Sequence, residues 1–110
     1  MLIAVTTSNG IDVDTHFGKA ERFLIYTLDS TEPQLLGVVQ TPAYCSGAAA
    51  GHSLMPDKLA AISQALGECR VVVTAMIGEA PQQELERLGI TVHAVAAPIA
   101  EVLREVRKLY

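Results

Sequence analysis

The stretch that decides the fold is residues 71–77, VVVTAMI, a run that shows no alternation of apolar and polar side chains. A continuous apolar run of this length is typical of a strand that helices cover on both faces. Gly78 interrupts the run at its end. Residues 71–77 therefore predict an interior strand of an α/β fold.

Helical patterns precede and follow this strand in the sequence. Pro81 fits the first position of a helix, and Gly89 suits the left-handed residue that ends it. Residues 90–95 predict the next strand, and Pro98 opens a last helix. The apolar stripe of that last helix is Ile99, Val102, Leu103 and Val106. The helix upstream is marked by Met55, Leu59, Ile62 and Leu66 at helical spacing.

The first half of the chain predicts strands rather than helices. Residues 2–7 form a short apolar run, and residues 23–28 and 35–39 form two more, joined by a turn that contains Pro33. The later pair is typical of an antiparallel hairpin, whereas strands joined through helices run parallel with right-handed crossovers. The resulting order, β-β-β-α-β-α-β-α, predicts a mixed five-stranded sheet flanked by helices.

Length and composition limit what this chain can be. Its 110 residues predict one domain, spanning 1–110, and no run reaches the about 18 apolar residues that would cross a bilayer. Residues 2–5 are too short and lack the basic leader of a signal peptide. Two cysteines and no export signal indicate free thiols in a cytoplasmic protein. The net charge of -4 makes nucleic acid a poor partner.

The tripeptide His16-Phe17-Gly18 is the first candidate site, in the polar loop that follows the first strand. Imidazole is a competent metal ligand near neutral pH, and glycine allows a bulky ligand to approach the backbone. Lys19 and Arg22 follow and would place positive charge beside an anionic ligand. This combination suits an anionic metal cluster. The alternative is a surface histidine followed by a core phenylalanine and a turn glycine.

A second loop, residues 41–53, adds Cys45 and His52 as possible donors. An accessible thiolate can ligate a soft metal such as iron or zinc, and the alternative for Cys45 is a free loop thiol. His16, Cys45 and His52 are fewer than the four ligands of a closed structural zinc site, which favours an open ligand set. Cys69 is expected to be a small core residue, and His93 to be structural.

Other chemistries have little support in the sequence. Neither a phosphate-binding loop of the G-x-x-x-x-G-K-[ST] type nor a G-x-G-x-x-G dinucleotide turn occurs. Cys45 could pair with His52 or His16 as a nucleophile, but no oxyanion pattern accompanies the pair. The predicted strands also lack the carboxylates that a magnesium-dependent nuclease requires. The chain is therefore expected not to be an enzyme.

Seven segments, in the same order and spacing, carry a resemblance that covers nearly the whole chain. They are D-x-HFG-x-A from Asp14, FLIY from Phe23, YCSG from Tyr44, KLAAI from Lys58, ECRVVV from Glu68, IG with Pro81, and LGI from Leu88. In these segments the chain resembles the dinitrogenase iron-molybdenum cofactor biosynthesis family, which includes NifX, NifY and the C-terminal domain of NifB.

The resemblance implies a ribonuclease H-like three-layer α/β fold without nuclease activity. It also implies a carrier that binds iron-sulfur or molybdenum-iron-sulfur clusters and passes them between cofactor-assembly proteins and apo-dinitrogenase. His16 matches the leading cluster ligand of the family, Cys45 matches a cysteine that many members carry, and His52 is a weaker match. No radical SAM motif Cys-x-x-x-Cys-x-x-Cys is present, so this chain would not make the cluster precursor alone.

Two hypotheses from different classes follow. The first is a non-enzymatic cluster carrier in which His16 and Cys45 donate to the cluster while Lys19 and Arg22 neutralise its charge. The second is a metal-free protein-interaction or regulatory domain of cofactor assembly. Replacement of His16 by alanine separates the two, because only a carrier should lose cluster affinity while staying folded.

Overall fold

A five-stranded sheet forms the centre of the protein, whose computed structural model describes residues 1–29, 32–41, 62 and 64–109. The strands are β1 (Leu2–Thr6), β2 (Arg22–Thr27), β3 (Gln34–Gln40), β4 (Cys69–Thr74) and β5 (Thr91–Ala94). The helices are α1 (Glu79–Arg87) and α2 (Ile99–Leu109), with a short 3-10 helix at Phe17–Lys19. Ile62 and residues 64–66 are also helical.

The sheet is mixed, in the order β3-β2-β1-β4-β5. β1 pairs antiparallel with β2, and β2 pairs antiparallel with β3, which confirms the predicted hairpin. β1 also pairs with β4, and β4 with β5, both in parallel. The predicted α/β fold with a mixed five-stranded sheet is therefore confirmed.

Two apolar layers cover the two faces of the sheet, because successive strand side chains point to opposite sides. Ala4, Phe23 and Val72 face one layer, where they join Leu85 of α1. Ile62 and Leu66 are buried in the same layer, whereas Met55 and Leu59 lie outside the described residues. The opposite layer is formed by β1, β4 and α2 and contains Ile3, Val5, Val71, Val73, Ile99, Val102, Leu103 and Val106. The predicted apolar stripe of the last helix is thus confirmed.

The strand predicted over residues 71–77 is shorter than expected at one end. Val71–Val73 and Thr74 are buried as predicted, but β4 ends at Thr74. The backbone then turns toward the loop after β1, where the Ala75 amide donates to the Thr15 carbonyl at 3.2 Å. The Phe17 amide in turn donates to the Met76 carbonyl at 2.8 Å. Contact with a distant loop therefore ends the strand before its apolar run ends.

The predicted helix starts need small corrections. α1 begins at Glu79, so Pro81 is its third residue rather than its first. This position is tolerated because amides of the first helical turn have no partner within the helix. α2 begins at Ile99, one residue after Pro98. Gly89 has a φ of 90° and ends α1 in the left-handed conformation that was predicted. No helix in the described part of the chain is long and apolar enough to cross a membrane.

We expect Leu103→Ala to destabilise the protein, because the Leu103 side chain packs α2 against the sheet and is only 2% exposed. The loss should be about 2–5 kcal/mol of unfolding free energy, the range for a leucine truncated in a core. Urea denaturation measures it. The adjacent exposed residue provides the control, since Arg104→Ala should change the midpoint little. Equal effects of the two substitutions would contradict this packing.

Candidate functional site

His16 lies in the connection from β1 to β2, at the end of the sheet where β1 and β4 finish. Its backbone forms a parallel bridge with Met76, in the segment that follows β4. β1 and β4 are adjacent and parallel, so their carboxyl ends meet at this edge. Ligand sites of open α/β sheets commonly lie outside the carboxyl ends of parallel strands. The histidine is therefore placed where this architecture favours a binding site.

The carbonyl oxygen of Thr15 fixes the backbone immediately before His16. It accepts hydrogen bonds from the Thr6 hydroxyl at 2.7 Å, the Thr74 hydroxyl at 3.0 Å and the Ala75 amide at 3.2 Å. The two hydroxyl oxygens are 3.0 Å apart, and both threonines are fully buried. Each hydroxyl has one hydrogen, so Thr74 can donate either to Thr15 or to the Met76 carbonyl at 3.3 Å. The ends of two neighbouring strands thus hold one peptide group.

Phe17 fixes the backbone immediately after His16. Its ring is fully buried and contacts the ring of Phe23, with centroids 6.0 Å apart and planes inclined by 59°. The His16 side chain is exposed, and its imidazole caps no amide of the 3-10 helix that follows. The tripeptide therefore presents an imidazole to solvent from a backbone anchored on both sides. The alternative without a metal site predicts this core phenylalanine. The same residue is compatible with the carrier hypothesis, because it fixes the backbone beside the imidazole.

Gly18 lies inside the 3-10 helix and is half-buried. The described glycines with positive φ are Gly10, Gly67 and Gly89, so the conformation of Gly18 does not itself demand glycine. Its predicted use, which is to let a bulky ligand approach the backbone, stays a prediction.

A network of hydrogen bonds braces the loop that precedes His16. One Asp14 carboxylate oxygen accepts from the Ser8 amide at 2.8 Å, and the other accepts from the Ser8 hydroxyl at 2.5 Å. These bonds, with a further one from the Thr15 hydroxyl, hold the pKa of Asp14 below its usual value of 3.8. The Arg22 guanidinium donates to the Ser8 carbonyl at 3.2 Å. The loop is therefore connected to the start of β2 as well as to itself.

Lys19 and Arg22 line a cleft of about 680 Å³ beside this loop. Thr15 also lines it, but His16 itself is not among the lining residues. Glu21 lies in the same wall and offsets one of the two positive charges. The cleft residues are Thr7, Ser8, Thr15, Lys19, Ala20, Glu21, Arg22, Gln40 and Thr41. The two predicted cations are thus brought together next to the histidine loop.

The other predicted donors are placed differently. Cys45 and His52 lie outside the described residues. Cys69 is buried, as predicted, and burial raises the pKa of its thiol, which makes it a poor nucleophile or ligand. His93 is half-buried on β5, and its Nε2 atom has no hydrogen-bond partner. Within the described residues no group of three or more His, Cys, Asp or Glu side chains could hold a metal ion.

Three residues of this site were not found by sequence reasoning. Thr6 and Thr74 donate to the Thr15 carbonyl and together form a clamp on the histidine loop. Met76 lies beside His16 and is 57% exposed. The signal that could have found the threonines is positional, because each is a polar residue at the end of an apolar strand. The strand predicted over residues 71–77 includes Met76 and so does not predict its exposure.

Comparison with known proteins defines the class to which this fold and loop belong. The family described as dinitrogenase iron-molybdenum cofactor matches residues 1–109, and the chain is a member of this family. The solved structure of PH0822 has the same fold, with a TM-score of 0.69 and 22% sequence identity over 94% of this chain and 87% of that one. The resemblance drawn from the sequence is therefore confirmed.

Individual relatives agree with this assignment. The chain is 37% identical to the FeMo cofactor biosynthesis protein NifB of Klebsiella pneumoniae over 93% of its length. It is 32% identical to NifB of Azotobacter vinelandii over 96% of its length. These matches cover 22% and 21% of the respective relatives, so the chain spans about a fifth of their length. Family and relatives together support a role in FeMo cofactor biosynthesis.

Removal of the Thr74 hydroxyl should loosen the clamp on the histidine loop. Thr74→Val keeps the shape of the side chain but removes the hydroxyl that donates to the Thr15 or the Met76 carbonyl. We expect a loss of about 0.5–1.5 kcal/mol in unfolding free energy, the net contribution of one hydrogen bond, because each carbonyl keeps another donor. Urea denaturation measures it, and Thr91→Val on the exposed surface of β5 is the matched control. An unchanged midpoint for Thr74→Val would contradict the clamp.

The Asp14 carboxylate should stabilise the loop only at pH values where it is ionised. Its pKa is lowered in the folded state, so its contribution is present above the unfolded pKa and is lost as pH falls through the folded pKa. Asp14→Asn should therefore lower the thermal midpoint at about pH 7 and converge with the parent protein in acid. Paired melting curves from neutral pH down to the acid limit of folding measure this. A difference that stays constant with pH would refute the assignment.

Proposed function

We propose that this domain binds an iron-sulfur or molybdenum-iron-sulfur cluster, the nitrogenase cofactor or a precursor, and transfers it during cofactor assembly. The observation that carries the proposal is the His16 imidazole, which is exposed to solvent on a backbone held by Thr15 and Phe17. Membership of the dinitrogenase iron-molybdenum cofactor family supports the type of cargo.

The geometry at His16 suits a ligand that must be both bound and released. A neutral imidazole donates a nitrogen lone pair to iron without a preceding change of the fold. The anchored backbone limits the conformational entropy that binding would cost, because the peptide groups beside His16 are already ordered. A donor set of fewer than four ligands also leaves part of the cluster accessible to the next protein. A buried cage of four ligands would favour retention instead.

Charge near the site favours an anionic cargo. Lys19 and Arg22 line the cleft beside the loop, and Glu21 offsets one of them, so the wall has a net charge of about +1 within a chain of net charge -4. Cationic side chains beside a metal cluster lower the free energy of its anionic form. We assign Lys19 and Arg22 to charge neutralisation, with Phe17 and Gly18 as the structural part of the binding loop.

The remaining roles complete the proposal. Cys45 and His52 are proposed as further metal donors from the second loop. The domain is proposed not to catalyse a reaction, and its partners are proposed to be cofactor-assembly proteins and apo-dinitrogenase. The relatives named NifB are about five times longer than this chain, so their own activity does not pass to it as a whole.

A second candidate function is a metal-free contact domain in the same assembly process. The observation that favours it is Met76, an exposed apolar side chain whose backbone bridges to that of His16. Exposed methionine is common at protein-binding surfaces because its flexible side chain adapts to different partners. In this reading His16 contacts a protein rather than a metal.

Anaerobic loading distinguishes the two functions. The purified protein is mixed with an isolated iron-sulfur cluster or iron-molybdenum cofactor precursor, passed through gel filtration, and assayed for iron, molybdenum and visible absorption. Iron should co-elute with the parent protein, and His16→Ala should reduce the bound iron at least about tenfold, the effect of losing 1.4 kcal/mol of binding free energy.

Controls separate ligation from folding. His93→Gln removes the other described histidine and should leave the bound iron unchanged, while circular dichroism shows that each variant is folded. Cys45→Ala tests the second donor in parallel. A folded parent protein that retains no iron from any cluster would overturn the carrier function and leave the contact domain as the better account.

A further inference from the structure

The cleft beside the histidine loop is a polar notch at one end of the sheet. Among its lining residues, Thr7 follows β1, Arg22 begins β2 and Gln40 ends β3. Thr6 pairs with Phe23, and Arg22 pairs with Gln40, so the three lining residues lie side by side at the ends of three neighbouring strands. The volume of about 680 Å³ is within the range of small-molecule sites. The notch is therefore large enough to be a binding site in its own right.

The charged side chains of this cleft are not used by the fold as ion pairs. No salt bridge of the described residues involves Lys19, Glu21 or Arg22. The Arg22 guanidinium donates to the Ser8 carbonyl at 3.2 Å, which uses one N–H group of a side chain that carries several. Both cations therefore keep donors that a ligand in the cleft can use.

The wall of the cleft also contains a hydroxyl group without a hydrogen bond. Thr41 is only 8% exposed, and its Oγ1 atom has no partner in the part of the chain that the structure describes. The Thr41 amide donates to the Glu21 carbonyl at 2.9 Å, which ties its backbone to the charged segment. A change between staggered rotamers can turn the hydroxyl toward the cleft. Because buried polar groups nearly always have a partner, this one favours an acceptor that enters from the cleft.

The groups in the wall define the chemistry of a ligand that fits. Lys19, Arg22 and Thr41 all supply hydrogen-bond donors, and the first two are cations. A phosphate group matches them, because a guanidinium binds its oxygens through parallel N–H bonds and an ammonium group binds it as a point charge. The Glu21 carboxylate is an acceptor and suits a hydroxyl group elsewhere on the ligand. The volume leaves room for an organic part beside the phosphate.

We propose that this cleft binds a phosphate monoester of a small hydroxylated molecule. Lys19 and Arg22 bind the phosphate oxygens, and the Thr41 hydroxyl donates to the phosphate group. Glu21 accepts a hydrogen bond from a hydroxyl of the organic part. Such a site requires no glycine-rich phosphate loop, because side chains rather than backbone amides supply the donors.

The phosphate site shares two cations with the proposed cluster site but not its metal donor. Lys19 and Arg22 line the cleft, whereas His16 is not among its lining residues. Binding of the monoester therefore requires neither the imidazole nor a metal. It is measured on protein without a cluster, so a failure of phosphate binding and a failure of cluster loading are separate results.

Isothermal titration calorimetry of the cluster-free protein with glycerol phosphate tests the proposal. Binding should be saturable, and Lys19→Gln or Arg22→Gln should each weaken it at least about tenfold, because each removes a charge-assisted hydrogen bond. Lys108→Gln and Arg104→Gln, on the exposed surface of α2, are the matched controls and should leave the dissociation constant unchanged. Circular dichroism checks that each variant is folded. A parent protein that does not bind, or binding that neither cleft variant weakens, would overturn the proposal.

Inorganic phosphate and glycerol separate the two parts of the ligand. Glycerol phosphate should bind more tightly than either, because the cleft contacts both the phosphate and the hydroxylated part. Equal affinity for inorganic phosphate would assign the cleft to free phosphate and overturn the monoester. Equal affinity for glycerol would overturn the role of the two cations.

Thr41→Val tests the hydroxyl separately from the charges. The substitution keeps the shape of the side chain and removes a hydroxyl that has no partner among the described residues, so the urea midpoint should not fall. The affinity for glycerol phosphate should fall at least about threefold, the effect of losing one hydrogen bond to the ligand. Thr91→Val on the exposed surface of β5 is the matched control. A lower midpoint with unchanged affinity would show that Thr41 serves the fold, and would contradict its place in the site.

Discussion

The carbonyl oxygen of Thr15 is the acceptor on which the arrangement of the site depends. Hydroxyl groups at the ends of β1 and β4 both reach it, and the amide of Ala75 supplies a third contact. Because the two threonine hydroxyls are buried, a loop that moved away would lose hydrogen bonds that water cannot readily replace, at a cost of about 0.5–1.5 kcal/mol for each bond. The position of His16 is therefore set by the packing of the parallel strands and not by the loop alone.

The same constraint explains where sequence reasoning succeeded and where it failed. The α/β order, the burial of Cys69 and of residues 71–74, and the stripe of α2 follow from the local sequence pattern. The end of β4 does not, because residues 75–77 leave the sheet to pair with a loop nearly sixty positions earlier in the chain. The exposure of Met76 is not predictable from the sequence for that reason, because an apolar run has the same pattern in a buried strand and in an exposed turn.

Family membership and site geometry contribute different parts of the functional account. The family and the NifB relatives support a role in FeMo cofactor biosynthesis, while the shared fold with PH0822 supports the architecture alone. The structure adds an anchored loop, an exposed imidazole and two cations at an adjoining cleft. Handling of an anionic cluster would use these features together, because the histidine supplies a donor atom and the cations lower the free energy of the bound charge.

The most direct test of the central claim is pulsed electron paramagnetic resonance on the cluster-loaded protein, prepared with natural and ¹⁵N-labelled histidine. If His16 is a ligand, the spectrum should contain a hyperfine coupling from an imidazole nitrogen that changes with the isotope and is lost or reduced in His16→Ala. A loaded protein whose spectrum is unaffected by the isotope label and by the substitution would contradict the claim. It would show that the cluster is held by other groups.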